Sequence, residues 1–261
     1  MVAFVGEKKE SIFRAVSEMY SEVALHPGRR FHFPTGRTAC LFVGYPKAQL
    51  DVIPETAIES FAGVGYPFAA GAIQQGHHVL DIGSGSGTDV LIASTLVGSH
   101  GRVYGLDMTE AMLSKARANA EQMETSHIEF VKGNAESIPL PDATVDSVTS
   151  NGVLNLVPDK PKAFSEIFRV LRSGGQLQIA DIVLGKPIKA ESRNDPQLWA
   201  ECIVGAVQEE DYLTLLRATG FKNVTVIGML DYFSKSSEAD TREVAERYGA
   251  VTLVISGRKP S

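Results

Sequence analysis

Apolar residues along this chain follow two periods that alternate. Short apolar runs occupy residues 78–82, 102–106, 127–131, 144–150 and 175–183, and helical spacing fills about 88–97, 109–122 and 160–171 between them. Runs bounded by turn residues read as buried strands, and three-to-four spacing reads as helix. The alternation predicts a doubly wound α/β fold, with parallel strands joined by right-handed crossovers. Upstream, residues 9–24 set Ile12, Phe13, Val16, Met19 and Tyr20 on one helical face. Residues 25–45, rich in Gly, Pro, Arg and His, predict a loop or short elements, and 54–63 predicts a further helix entered at Pro54. Downstream, 208–218 opens on acidic residues and ends at Gly220, which suits both ends of a helix dipole. The runs NVTVIGM and AVTLVISG read as two paired strands, and the polar stretch 234–240 as an exposed connection.

The chemistry concentrates where the first strand meets its helix. Residues 79–87 read VLDIGSGSG, an apolar run ending in an acid followed by three alternating glycines. Without Cβ atoms, Gly83, Gly85 and Gly87 let a ligand approach the backbone, and the helix N-terminus behind them favours an anionic group. Asp107 ends the next strand, twenty residues after Gly87, where a carboxylate can accept ribose hydroxyls. A nicotinamide fingerprint would need G-x-G-x-x-G, whereas these glycines fall as G-x-G-x-G, and Asp81 is an awkward neighbour for a pyrophosphate. S-adenosylmethionine fits better. Its carboxylate suits the turn at Gly83, Ser84, Gly85 and Gly87, its ammonium Asp81, its ribose Asp107 and its adenine Met108.

With VLDIGSGSG, the motifs VYGLDMTEAML, GNAESIPLPDATVDSVTSN and EIFRVLRSGGQLQIADI resemble the class I S-adenosylmethionine-dependent methyltransferases over about residues 79–185. The resemblance implies a seven-stranded, mostly parallel, Rossmann-like sheet at residues 76–261, with residues 1–75 forming an N-terminal helical and loop cap over the active site. It further implies that Asn134, Ala135 and Glu136 lie against adenine. The backbone around Asn151 then faces the cofactor's methionine and the reacting methyl.

Two further segments are similar to the arsenite methyltransferases: DPQLWAECIVGAVQEED at 195–211 and SNGVLNLVPDK at 150–160. That resemblance implies a thiolate at Cys202 within a W-x-E-C run that includes Trp199 and Glu201, with Gly152 and Asn155 beside the acceptor. TGRTAC ends at Cys40, near the position of that family's mobile-loop cysteine. The chain departs from the pattern at Gly152, which stands where the family has a cysteine, and at GVGYPF (63–68), which lacks another. It also stops soon after the last expected strand, without the C-terminal domain common in that family. Two acceptor chemistries remain open. In one, Cys202 and Cys40 bind arsenite with a third thiol from glutathione. In the other, a small organic metabolite is methylated at O, N or C, with Gly152 leaving room for it and Cys202 a buried hydrophobe. A non-catalytic protein that binds the cofactor is a third reading.

The loop after the first helix carries His26, Arg29, Arg30, His32 and Arg37 between Phe31 and Phe33. It reads either as a lid with His26 or His32 as base, or as a solvated loop docked by its phenylalanines. Tyr20 and Tyr66 are candidates for the pocket wall; Trp199 could equally be core.

Composition changes little in this picture. A net charge of −6 with scattered Lys and Arg recommends no nucleic-acid groove. No apolar run is long enough for a signal peptide or a membrane span. Two cysteines make no disulfide framework, so a reducing cytoplasm is the expected compartment. A small-molecule methyl acceptor is the expected partner.

Overall fold

The computed structural model describes residues 6–188, 199, 203–236 and 238–261. Its centre is a seven-stranded sheet of order β3-β2-β1-β4-β5-β7-β6, with β1 His78–Ile82, β2 Arg102–Asp107, β3 Ile128–Lys132, β4 Val145–Asn151, β5 Leu171–Leu184, β6 Lys222–Leu230 and β7 Ala250–Arg258. The first five strands are parallel, and β7 runs antiparallel to both β5 and β6. The central strands match the apolar runs because burial on both faces leaves each an uninterrupted apolar signal.

The helices are α1 Glu7–Leu25, α2 Gly36–Phe42, α3 Lys47–Leu50, α4 Glu55–Ile58, α5 Thr88–Val97, α6 Glu110–Gln122, α7 Lys160–Val170, α8 Glu209–Thr219 and α9 Ala239–Tyr248. One apolar core joins α1–α5 to one side of the sheet; the other gathers Phe164, Ile167, Tyr212 and Leu216 of α7 and α8 against Leu177 and Ile179 of β5. The strand order reverses between β1 and β4, so their C-terminal ends flank a crevice, the usual place for a ligand in an open α/β sheet.

Two elements differ from expectation. The helix expected over 54–63 is one turn, Glu55–Ile58. The Ala57 carbonyl receives the hydroxyls of Ser86 (2.7 Å) and Thr88 (2.8 Å), and the Phe61 N–H turns instead to Ile58 O (2.8 Å). Side chains of the glycine turn thus take the acceptor a longer helix would use. The stretch 234–240 is also more than an exposed connection. A 3-10 turn, Tyr232–Lys235, is capped by Asp231, and buried Ser236 donates to His32 O (3.1 Å). Helix α9 follows, and of its residues only Ala245 is buried, so it has almost no apolar face to announce it.

The loop between β4 and α7 is fixed from below by a buried lysine. Lys160 Nζ donates to the carbonyls of Asn155 (2.8 Å), Val157 (3.0 Å) and Gly205 (2.7 Å), and lies 5.4 Å from the Trp199 ring. Nearby Asp181, raised to about 7 by burial, receives the Tyr212 hydroxyl at 2.7 Å. These bonds join the loop before α7 to the segment before α8.

Candidate active site

A cleft of about 960 Å³, measured out to its mouth, opens over the C-terminal ends of β1, β2 and β4. Its floor is the turn between β1 and α5. The N–H groups of Gly83 and Ser84 both donate to Leu106 O (2.7 and 2.9 Å), and Gly87 N donates to Ser84 O (2.9 Å). Gly83 holds φ +73°, and a Cβ there would fall 2.2 Å from Val153 Cγ2. Gly83→Ala is therefore expected to displace Val153 and the turn together, at about 1–3 kcal/mol of stability. A thermal melt equal to wild type would overturn that account. Gly87 shapes the turn at φ +96° but does not line the cleft.

Behind the turn, α5 begins with N–H groups that lack intrahelical acceptors. Ser84, which lines the cleft, has a buried hydroxyl oxygen without a hydrogen-bond partner. On β2, Asp107 accepts from Gly85 N (2.9 Å) and Thr109 N (2.8 Å). Those two bonds aim the carboxylate and leave further lone pairs toward the cleft. Met108, Asn134 and Ala135 line the same end, and Asn134 Oδ1 receives Glu136 N at 2.9 Å.

Three buried carboxylates face this space: Asp81, Asp89 and Asp107. Burial raises all three, Asp89 to about 6, and each of Asp81 and Asp107 is partly stabilised by the bonds it accepts. Asp81 Oδ1 receives Thr149 Oγ1 at 2.7 Å. Asp89 Oδ1 receives the Tyr45 hydroxyl at 2.5 Å, and its Oδ2 receives Asn151 Nδ2 at 3.3 Å. Asn151 in turn accepts Val64 N (2.8 Å) and Gly65 N (3.1 Å), and donates to Gly65 O and Tyr45 Oη (both 2.9 Å). One amide thereby fastens Val64 and Gly65 to the end of β4. From α1, Phe13, Val16 and Tyr20 complete the wall over the cleft.

Several expected residues lie elsewhere. His26 is exposed just past α1. His32 packs edge-on to Phe33, outside the cleft lining, and burial lowers its basicity. The loop's arginines are paired with acids, Arg29 with Glu22, Arg30 with Glu238 and Arg37 with Asp51 and Glu55. Phe33 is buried and stacks on Phe31, so this loop is docked by its aromatics and supplies no base to the cleft. Cys40 is not on a mobile loop: it is fully buried in α2, and burial beside Asp89 pushes its thiol far up, so it stays protonated. Tyr66 donates to Gln49 (2.9 Å) and lines a separate groove against β6.

Glu136 is buried, paired with Lys9 of α1 and accepting Asp159 N (3.0 Å), which ties α1 to the loop after β3 and keeps the carboxylate off the cleft. Asn155 is fully buried within the β4–α7 loop, and Trp199 is core, with its indole N–H on Leu156 O (2.8 Å). Gly152 does line the cleft, but it opens no room. It sits at φ +73°, and a Cβ there would meet Val64 Cγ1 at 3.1 Å. Glu201 and Cys202 lie outside the described residues. Asp89 and Tyr45 were not anticipated; the available signal was a single acid in the otherwise uncharged helix TDVLIASTLV.

Residues 73–220 match the methyltransferase domain family. The chain belongs to that family. Its sheet, glycine turn and acidic strand ends are those of a class I methyltransferase, whose cofactor is S-adenosylmethionine. The chain is 36% identical over 199 residues to the arsenite methyltransferase of Halobacterium salinarum, covering 76% of this chain and 51% of that protein. The arsenic(III) S-adenosylmethionine methyltransferase of Chlamydomonas reinhardtii superposes with a TM-score of 0.69 at 32% identity, over 82% of this chain and 73% of that one. A demethylmenaquinone methyltransferase of Listeria welshimeri is 36% identical over 109 residues, 42% of this chain and 46% of that protein. The chain spans about half the length of the arsenite methyltransferases it matches. No helix among the described residues is long and apolar enough to cross a membrane.

Proposed function

We propose that this domain transfers a methyl group from S-adenosylmethionine to a small, uncharged or cationic organic acceptor, on a scaffold of arsenite-methyltransferase type. Residues 76–261 bind the cofactor in this reading, and the described part of 1–75 caps it. Asp107 accepts the ribose hydroxyls, Asp81 the ammonium, and Ser84 with the first turn of α5 the carboxylate. Met108, Asn134 and Ala135 flank the adenine. The cofactor supplies an electrophilic methyl whose sulfur leaves with its electron pair as a neutral thioether. The chain's part is to hold the acceptor in line and dry; where the nucleophile arrives protonated, as a phenol does, its proton leaves to water at the cleft mouth. Phe13, Val16, Tyr20, Phe61, Val153 and Leu156 give the acceptor an apolar seat.

The observation that carries the acceptor class is the make-up of the cleft wall. Among the described residues it holds three carboxylates and no lysine, arginine, histidine or cysteine. An anionic acceptor would find no cationic side chain to pair with among these residues, and arsenic(III), which favours soft thiolates, would find no thiol among them. The likeness to a demethylmenaquinone methyltransferase is in keeping with an organic acceptor. The likeness to arsenite methyltransferases keeps one alternative alive, in which Cys202 binds arsenic. Either way the two cysteines suit a reducing cytoplasm.

Release of S-adenosylhomocysteine decides between them, measured with small neutral phenols, quinols and amines in one arm and arsenite plus glutathione in the other. The expected result is turnover in the organic arm that survives both Cys202→Ser and Cys40→Ala. Turnover confined to arsenite and abolished by Cys202→Ser would overturn the organic reading.

A further inference from the structure

Asp89 has no part in the cofactor contacts assigned above, yet it is a buried acid in the first turn of α5, on the cleft wall beside Asp81. Both its oxygens are occupied on the protein side, by Tyr45 and Asn151. It is therefore held in place and does not swing to meet a ligand. Among the described residues, the groups around it bring no positive charge. Asp81 faces it from β1, with Asp107 of β2 beyond; Tyr45, Cys40 of α2 and Tyr66 face it from the cap, each neutral when protonated. Arg37, which acts on Cys40, is bonded outward to Asp51 and Glu55.

Two acids buried side by side without a cation disfavour each other's ionisation. A ligand that brings a fixed positive charge relieves that repulsion, whereas one that brings less does so less. We propose that Asp89, with Asp81, forms a charge filter that prefers the sulfonium cofactor to its neutral thioether product and couples cofactor binding to proton release. The filter rests on the reading that this cleft binds S-adenosylmethionine. Its use is at the end of the cycle: once the methyl has left, the sulfur is neutral, the acid pair keeps the ammonium but loses the second positive charge, and the product is bound less tightly than the cofactor was.

The sign of the pH effect follows. With Asp89 at about 6 in the free protein, much of it carries a proton below that pH. A sulfonium nearby favours the carboxylate, so the bound-state value lies lower and the proton leaves on binding. Affinity for S-adenosylmethionine then rises with pH between the two values and levels off above about 6. S-adenosylhomocysteine, which keeps the ammonium but lacks the sulfonium charge, follows a flatter curve. If the bound value is two units lower, the cofactor's affinity rises about tenfold from pH 5 to 7.

Isothermal titration calorimetry of both ligands tests this, at pH 5, 6 and 7 and in two buffers of different ionisation enthalpy. For wild type, the expected results are a cofactor-to-product affinity ratio that grows several-fold with pH and net proton release near pH 6 with the cofactor. Asp89→Asn, which keeps the shape and cannot ionise, is expected to flatten the ratio and remove that release while still binding the product. A wild-type ratio independent of pH, with no proton released, overturns the filter and leaves the cofactor reading standing. Absence of binding by either ligand to wild type overturns both.

Discussion

Asp107→Ala is expected to weaken S-adenosylmethionine binding by about 3 kcal/mol, roughly a hundredfold in Kd. Two losses add. The ribose hydroxyls lose a charged acceptor, and hydrogen bonds to charged groups are worth about 1.5–3 kcal/mol. In addition, the N–H groups of Gly85 and Thr109, which now bond the carboxylate at 2.9 and 2.8 Å, are left without it. The Gly85 bond is also one of the constraints that shape the glycine turn. Asp107→Asn separates the two effects, since a carbonyl oxygen can still receive one N–H but no longer carries charge; its cost is expected near tenfold. Calorimetry on the purified protein reads both variants. Wild-type affinity in Asp107→Ala would remove this residue from the cofactor site.

The site's floor was legible because its signals are local. Strand His78–Ile82 and helix Thr88–Val97 lie where the apolar run and the helical spacing put them, and the glycines between adopt the positive φ that their type permits. The cap was legible at α1, whose single apolar face includes Ile12 and Val16, and in the loop and short helix that fill 25–45. The rest of the cap is held by bonds between residues far apart in sequence. Ser86 and Thr88 seize Ala57 O, Lys115 reaches Glu59 and Ser60, and Asn151 grips Val64 and Gly65. No periodicity encodes such pairs. The same reason explains Cys40 and His32. Their residue types promised chemistry, but packing placed one thiol in a core and one imidazole against Phe33. Asp89 is the converse case: its position in a helix buried almost throughout marked it as a constrained charge, yet its partners Tyr45 and Asn151 lie 44 and 62 residues away.

The second large effect is expected at Asn151. Replacing it by alanine leaves Val64 N, Gly65 N and Gly65 O without their partner, in a segment where both residues are buried. An unsatisfied buried polar group costs about 1–3 kcal/mol. Some of these groups will find water, so the sum is taken as about 3 kcal/mol, which corresponds to a fall of about 6–12 °C in Tm for a chain of this size. The loss should also reach binding, because residues 61–63 line the cleft and Gly63 lies so close that a Cβ there would stand 2.5 Å from Asn151 Nδ2. Asn151→Asp sharpens the test. It keeps the two acceptor contacts to Val64 and Gly65, loses the donor bonds, and puts a new carboxylate beside Asp89. Below about pH 6 Asp89 is largely protonated and the repulsion is small; above it both acids ionise and repel. Asn151→Asp should therefore melt closest to wild type at pH 5 and fall progressively below it by pH 8. Asn151→Ala should show a deficit with no comparable pH dependence. Equal melting of both variants and wild type at every pH would mean that Val64 and Gly65 are seated by packing alone.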